Sequence, residues 1–240
     1  MASNKSRNSS GAAQSGRLHA RPGLPEGPAQ DTGARPGLHP LNLDSARDGL
    51  CYVPAGYRPD APVPLVLLLH GASGNARNGL APLQPLADAA GLLLLAPDSR
   101  RETWDVIRGG YGPDIAFIDA ALTATFARYA VDPAHLGIGG FSDGASYALS
   151  VGLTNGDLFT HILAFSPGFL APAGQHGRPA IFISHGTHDT VLPIDRCSRR
   201  IVPRLQEAGY AVLYREFDGL HTVPPDIARD AVHWFTPLGA

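Results

Sequence analysis

An α/β architecture, a mostly parallel sheet with helices on its faces, follows from three observations. Two nearly continuous apolar runs, LVLLLHG at Leu65–Gly71 and LLLLAP at Leu92–Pro97, have the composition of strands buried on both faces. Segments of helical spacing lie between these runs and later ones, so strands alternate with helices and pair in parallel through right-handed crossovers. From Leu136 to Leu149, LGIGGFSDGASYAL, an apolar run meets glycines and a serine and then turns into a helix-like pattern.

The elements follow in order. Residues 1–37 are rich in Ser, Gly, Ala, Pro and Asn. Such a segment buries too little apolar surface to offset its chain entropy, which predicts a disordered, dispensable arm. It carries no apolar h-region, so neither a signal peptide nor a membrane anchor is expected there. Residues 38–240 are expected to form one domain, entered by short strands at LHPLNL and GLCYVP on either side of the polar turn Asp44–Asp48. After the strand at Leu65 come a helix over Leu80–Ala90, the strand at Leu92, and a loop, Asp98–Gly112, that carries Trp104. Pro113–Ala130 then has apolar residues at Ile115, Ile118, Ala121, Leu122 and Phe126, a helical spacing with proline suitably near its start. Beyond the glycine-serine turn the chain reads as strands HILAFSP and AIFISHG, a helix over Pro193–Ala208, a strand Val212–Phe217 and a closing helix Pro225–Phe235.

The chain has 240 residues, 44% hydrophobic and 17% charged, with a formal net charge of -2, which suits one sizeable core. This balance offers no electrostatic reason for a nucleic-acid or anionic-membrane partner, and no stretch reaches the ~18 to 20 apolar residues of a membrane span. The two cysteines, Cys51 and Cys197, are expected as buried or half-buried thiols of a reducing, cytoplasmic compartment, a disulfide between them having no support in the sequence.

Gly140-Phe141-Ser142-Asp143-Gly144 is a G-x-S-x-G pentapeptide, which holds its serine on a sharp strand-to-helix elbow with the hydroxyl exposed. Its glycines meet a steric demand, because strand and helix backbones approach too closely there for a Cβ. A serine hydroxyl is a poor nucleophile unless a base lies within hydrogen-bond reach and a third group orients that base. His221, in the loop past the last strand, and Asp189, in HGTHDTVLP past an apolar strand, answer that requirement; Asp195 and Asp218 are nearby alternatives for the acid. The backbone N–H groups of Ala72, after the HisGly at a strand end, and of Asp143, at a helix start, are the candidate oxyanion donors. Trp104 and Tyr111 are candidate walls of a substrate pocket or else core or surface aromatics. His185, His188 and Asp189 look like metal ligands, but no third cluster completes a site, so no metal and no cofactor are expected. GlyIleGlyGlyPhe lacks the third glycine of a dinucleotide loop, Ser142 standing in its place.

LVLLLHGASGN, GYGPDIAFIDAAL, VDPAHLGIGGFSDGASYAL, HGTHDTVLP and the late GLH, in the order Ser142, Asp189, His221, resemble the α/β-hydrolase superfamily. The nearest groups are the small esterases of the phospholipase/carboxylesterase and polyhydroxybutyrate-depolymerase-like (dienelactone-hydrolase-like) kinds. The resemblance implies an α/β-hydrolase fold and a serine-dependent carboxylic ester hydrolase working through an acyl-enzyme. Asp143 stands where many relatives carry Gln, Asn or Met, so no one subgroup's substrate transfers. Lipase-like relatives often insert a helical cap before the strand at Ala180; only a loop rich in Pro, Gly and Ala stands there, so no cap domain is expected. An open cleft favours short-chain or small aromatic esters, with polyester or hydroxyalkanoate oligomers, acyl thioesters, or a catalytically silent binding module as the alternatives.

Overall fold

The computed structural model describes residues 13–23, 35–44 and 46–236. Among them, eight strands form one sheet in the order β1-β2-β4-β3-β5-β6-β7-β8. These are β1 Gly37–Pro40, β2 Gly49–Val53, β3 Val63–Leu69, β4 Leu93–Pro97, β5 Val131–Phe141, β6 His161–Phe165, β7 Ala180–Gly186 and β8 Val212–Phe217. The two N-terminal strands pair antiparallel, β1 with β2 and β2 with β4, and every later pairing is parallel. The helices are α1 Ala76–Leu80, α2 Gln84–Ala87, α3 Pro113–Arg128, α4 Asp143–Thr154, α5 Ser198–Glu207 and α6 Pro225–Phe235.

The period-2 pleat explains why β3 is apolar at nearly every position. Leu65, Leu67 and Leu69 enter a core shared with α3, α4 and α5, whereas Val66 and Leu68 enter a second core with α1, α2 and α6. Leu93 and Leu95 of β4 divide from Leu94 and Ala96 in the same way. Helix α4 runs across the first core and is buried along almost its whole length.

Its three Ser and Thr residues are spaced four apart and face one way. Ser146 Oγ, Ser150 Oγ and Thr154 Oγ1 each donate to the carbonyl four residues back. They in turn accept the N–H groups of Gly168 (2.9 Å), Ala171 (2.9 Å) and Ala173 (3.1 Å). The segment between β6 and β7, which contains no helix, is stitched onto α4 by this ladder. There is no cap domain among the described residues.

Three expectations are corrected. The helix expected over Leu80–Ala90 is two short ones, because Pro82 and Pro85 each lack an N–H and break the ladder between α1 and α2. The helix expected from Pro193 divides into a single 3₁₀ turn, Ile194–Arg196, and α5. The arm expected to be disordered is docked where the structure describes it, over residues 13–23; residues 1–12 and 24–34 lie outside the described residues. Leu18 is wholly buried in the first core. Its N–H donates to Asn155 Oδ1 (2.9 Å), and Asn155 Nδ2 returns a bond to the Gly16 carbonyl (2.8 Å). Arg17 makes a two-bond fork with Asp157, and the N–H groups of His19 and Ala20 both donate to Asp119 Oδ1. Composition misses this because the docking is carried by one leucine and by backbone groups that composition does not register.

Candidate active site

Strand β5 delivers Ser142 to the carboxyl edge of the sheet, and α4 starts on the next residue. Ser142 has φ 58 and ψ -120, a positive-φ conformation that non-glycine residues rarely adopt. The turn closes so tightly that a Cβ on Gly140 would lie 2.5 Å from the Gly144 carbonyl carbon, and one on Gly144 only 2.1 Å from the Leu69 oxygen. Both glycines of the pentapeptide are therefore sterically required. Gly71, at the end of β3, lies against the same elbow: a Cβ there would stand 3.5 Å from Ser142 Cβ.

The loops after β7 and β8 bring the other two residues to the serine. His221 Nε2 lies 2.9 Å from Ser142 Oγ, and its Nδ1 lies 2.5 Å from Asp189 Oδ2. An ionised carboxylate only accepts, so Nδ1–H donates to Asp189 and Nε2 accepts the serine hydroxyl. The Phe141 ring packs on the imidazole with centroids 4.6 Å apart. Asp189 is held from its other oxygen by the N–H groups of Val191 (2.9 Å) and Leu192 (2.8 Å). Burial pushes its pKa up, but those N–H bonds and the one from His221 outweigh burial and leave it below the ordinary carboxylate value. Asp189 thus stays ionised.

Sequence alone left Asp195 and Asp218 open as the acid. Asp195 pairs instead with Arg199 (2.8 Å) and Asp218 with His188 (2.9 Å), so Asp189 is the carboxylate that reaches His221. The HGTHD histidines also find local uses. His185, buried, donates from Nε2 to the Leu192 carbonyl (2.8 Å), bonds Ser198 Oγ through Nδ1 (2.7 Å), and lies 3.2 Å from Asp189. Burial holds its pKa below the usual histidine value, so it sits as a neutral brace behind the acid.

The N–H of Asp143 opens α4 and that of Ala72 follows Gly71; neither donates a hydrogen bond among the described residues. Both are thus without a protein acceptor there. His70, buried behind this loop, accepts the Ser99 N–H at Nε2 (3.0 Å), which leaves its proton on Nδ1 facing the Gly71 carbonyl (2.7 Å). Burial lowers its pKa, so it too stays neutral and acts as a strut.

The proposed pocket wall at Trp104 is corrected. Trp104 is wholly buried, donates Nε1–H to the His70 carbonyl (2.8 Å) and stacks on Tyr147 with centroids 5.1 Å apart, so it supports the site from beneath. Tyr111 packs against Gly16 of the N-terminal segment and donates to the Ala171 carbonyl (2.8 Å), a linking position that the structure does not bring to Ser142. Exposed apolar side chains instead flank the acid and the base: Val191 is 64% and Leu220 62% exposed, each within two residues of Asp189 or His221. Sequence reasoning missed Thr103, whose Oγ1 donates to Asp143 Oδ2 at 2.6 Å; no spacing or motif connects a loop threonine to a residue forty positions later.

A serine on a strained strand-to-helix elbow, at the carboxyl edge of a mostly parallel sheet, defines an α/β-hydrolase. No protein-family model matches the chain. Feruloyl esterase C of Emericella nidulans is 28% identical over 163 residues, 65% of this chain and 59% of that protein. The chain therefore spans less than two thirds of that relative's length. Among solved structures, esterase PE8 superposes with a TM-score of 0.64 at 26% identity, covering 79% of this chain and 98% of that one. A CE1 ferulic acid esterase from Anaeromyces mucronatus, solved with ferulic acid, superposes at 0.65 with 17% identity over 92% and 97% of the two chains. The chain shares the α/β-hydrolase fold of these esterases.

Proposed function

We propose that the protein is a cofactor-independent serine carboxylesterase that works through an acyl-enzyme, with Ser142, His221 and Asp189 as its catalytic triad. The observation that carries this reading is the continuous hydrogen-bonded chain from Ser142 Oγ through His221 to Asp189, at 2.9 and 2.5 Å, on a strained elbow. Ser142 Oγ attacks the acyl carbon while its proton passes to His221 Nε2, and the Asp189 carboxylate stabilises the imidazolium so formed. The carbonyl oxygen, now an anion, is met by the N–H groups of Ala72 and Asp143, donors worth on the order of 3 to 4 kcal/mol each in such sites. Collapse of the tetrahedral species expels the alcohol, which takes the proton from His221. Water then repeats the sequence on the acyl-serine and frees the acid.

Two exposed apolar side chains at the rim support one substrate class. The uncapped cleft with Val191 and Leu220 beside it supports short-chain or small aromatic acyl groups, because each methylene left in water forgoes about 0.8 kcal/mol of burial. The feruloyl esterase name of the fungal relative favours the aromatic half of this class. Oligomeric polyesters and acyl thioesters are the second reading that an open cleft admits. A cytoplasmic location is supported by two buried free thiols; burial pushes the Cys51 pKa up to about 12.

The test is a panel of p-nitrophenyl esters from acetate to palmitate with methyl hydroxycinnamates and thioesters, together with fluorophosphonate labelling. Highest kcat/KM on short or aromatic oxyesters, with labelling lost in Ser142→Ala, is expected. Labelling that persists in Ser142→Ala would overturn the assignment of the nucleophile.

A further inference from the structure

The loop between β4 and α3, residues 98–112, grips the elbow from two sides. On one side the Glu102 carbonyl accepts the N–H of Ser73 (2.7 Å), the residue after Ala72. Ser99 N–H and Trp104 Nε1–H hold His70 from the same side, at 3.0 and 2.8 Å. On the other side, Thr103 Oγ1 donates to the carboxylate of Asp143, the residue after Ser142, at 2.6 Å. Two consecutive loop residues, Glu102 and Thr103, thus hold the two chain segments whose N–H groups face the acyl oxygen. Building on the reading of Ser142 as nucleophile, we propose that Thr103 is a positioning residue that orients the Asp143 N–H through its carboxylate and, with Glu102, clamps the oxyanion hole to its working width.

Charge and backbone strain both lead there. A carboxylate beside the point where a carbonyl oxygen becomes anionic has the wrong sign for the reaction, and in a partly desolvated site that repulsion is poorly screened. The positive end of α4 offsets part of it. Thr103 supplies the one side-chain donor that Asp143 takes among the described residues, in a short charge-assisted bond directed into loop 98–112. At φ 58 the Ser142 backbone lies outside its preferred regions, so its neighbours, not local preference, set the peptide plane carrying the Asp143 N–H. Ser142 N–H is tied to the Phe165 carbonyl (3.0 Å), Ser146 N–H (3.0 Å) and Oγ (3.2 Å) hold the Ser142 carbonyl at the opposite edge of that plane, and Thr103 adds the hold on the Asp143 side chain.

The experiment is a double-mutant cycle with rescue. Thr103→Val keeps the shape and removes the donor; Thr103→Ser keeps the donor. Each is made in the wild-type chain and in Asp143→Ala, where there is no carboxylate to hold. With p-nitrophenyl acetate, Thr103→Val in the wild-type chain should lower kcat about 10- to 100-fold with KM little changed, the signature of a misplaced transition-state contact. The melting temperature should not move, and Thr103→Ser should recover most of the loss. In Asp143→Ala the Thr103→Val change should alter kcat by less than about threefold, because coupled residues lose their interaction only once. Unchanged kcat in Thr103→Val, failure of Thr103→Ser to rescue, a raised KM at constant kcat, or an equal loss in both backgrounds would each overturn the proposal. Undiminished hydrolysis by Ser142→Ala would instead remove the nucleophile assignment on which it rests, so the two failures are distinguishable.

Discussion

Leu18→Ala measures how much the docked N-terminal segment contributes. Leu18 is wholly buried, and its own N–H is tied to Asn155, so the segment cannot shift to refill the space without giving up that bond. Truncating a buried leucine costs about 2–5 kcal/mol, made of lost transfer energy and the cavity left behind. Here the loss has a ceiling, because residues 13–23 can undock altogether once holding them costs more than releasing them. The expected value is therefore at the low end, about 2–3 kcal/mol. At about 2–4 °C per kcal/mol for a domain of this size, the melting temperature should fall by roughly 5–10 °C. Arg17→Gln is the internal comparison. Its fork with Asp157 sits where the two side chains are 25% and 38% exposed, and exposed pairs are worth about 0–1 kcal/mol, so it should matter less than the leucine. Urea unfolding followed by tryptophan fluorescence reads both variants, with p-nitrophenyl acetate hydrolysis recorded alongside. A Leu18→Ala protein within about 0.5 kcal/mol of wild type would refute the reasoning, since that is the range of an ordinary surface substitution.

Gly144→Ala should cost about 3 kcal/mol or more, because its Cβ would meet the Leu69 and His70 carbonyl oxygens at 2.1 and 2.6 Å and neither can swing aside; Gly110→Ala, with open space around it, is the control in the same urea titration. Burial raises the Asp114 pKa to about 6, so between the unfolded value near ~3.9 and 6 the folded chain binds more protons than the unfolded one, and this group's contribution to stability falls as pH rises through that window. Comparing the pH slope of unfolding in wild type and Asp114→Asn between pH 4 and 7 isolates it: the variant should lack the fall, and identical slopes would contradict the assignment. Asp157 has the opposite sign: its bond to Arg17 lowers its pKa to about 2, so its contribution is present above the unfolded value and is lost as pH drops toward 2. Asp189→Asn should retain roughly 10²-fold more kcat than Ser142→Ala, because the aspartate orients the base without bonding to substrate; equal losses in stopped-flow and steady-state assays would give Asp189 a larger part than orientation.

Much of the fold was legible because the strands of a parallel sheet are apolar at consecutive positions, and Leu65–Leu69 and Leu92–Ala96 are legible as such without any partner in view. The elbow was legible for a related reason: two glycines around a serine record a backbone contact that no other residue permits, and the distances at Gly140 and Gly144 are that contact. Asp189 and His221 could be placed at loop ends, but the choice among three aspartates turned on which loop carboxylate reaches the imidazole, a tertiary distance with no local signal. Trp104 stayed open between pocket wall and core because an aromatic in a loop near a site has the same sequence whether it lines the cleft or supports it; its indole N–H partner, the His70 carbonyl, places it in the core. Residues 13–23 were misassigned for the converse reason, a polar composition in which the Leu18, His19 and Ala20 N–H groups are nonetheless bonded to Asn155 and Asp119.

The hydroxyl ladder on α4 has a consequence for the life of the acyl-serine. Gly168, Ala171 and Ala173 have their N–H groups committed to Ser146, Ser150 and Thr154, so this stretch after β6 is tied to the helix that follows Ser142. Residues 168–173, tied in this way, are not expected to swing over an ester bound at Ser142 once the alcohol has departed. Bulk water, at tens of molar, then competes for the acyl group on equal terms with any other acceptor. Glycerol or methanol added to the reaction should divert product only in proportion to its share of the solvent, and the chain should be a poor transferase however good a hydrolase it is.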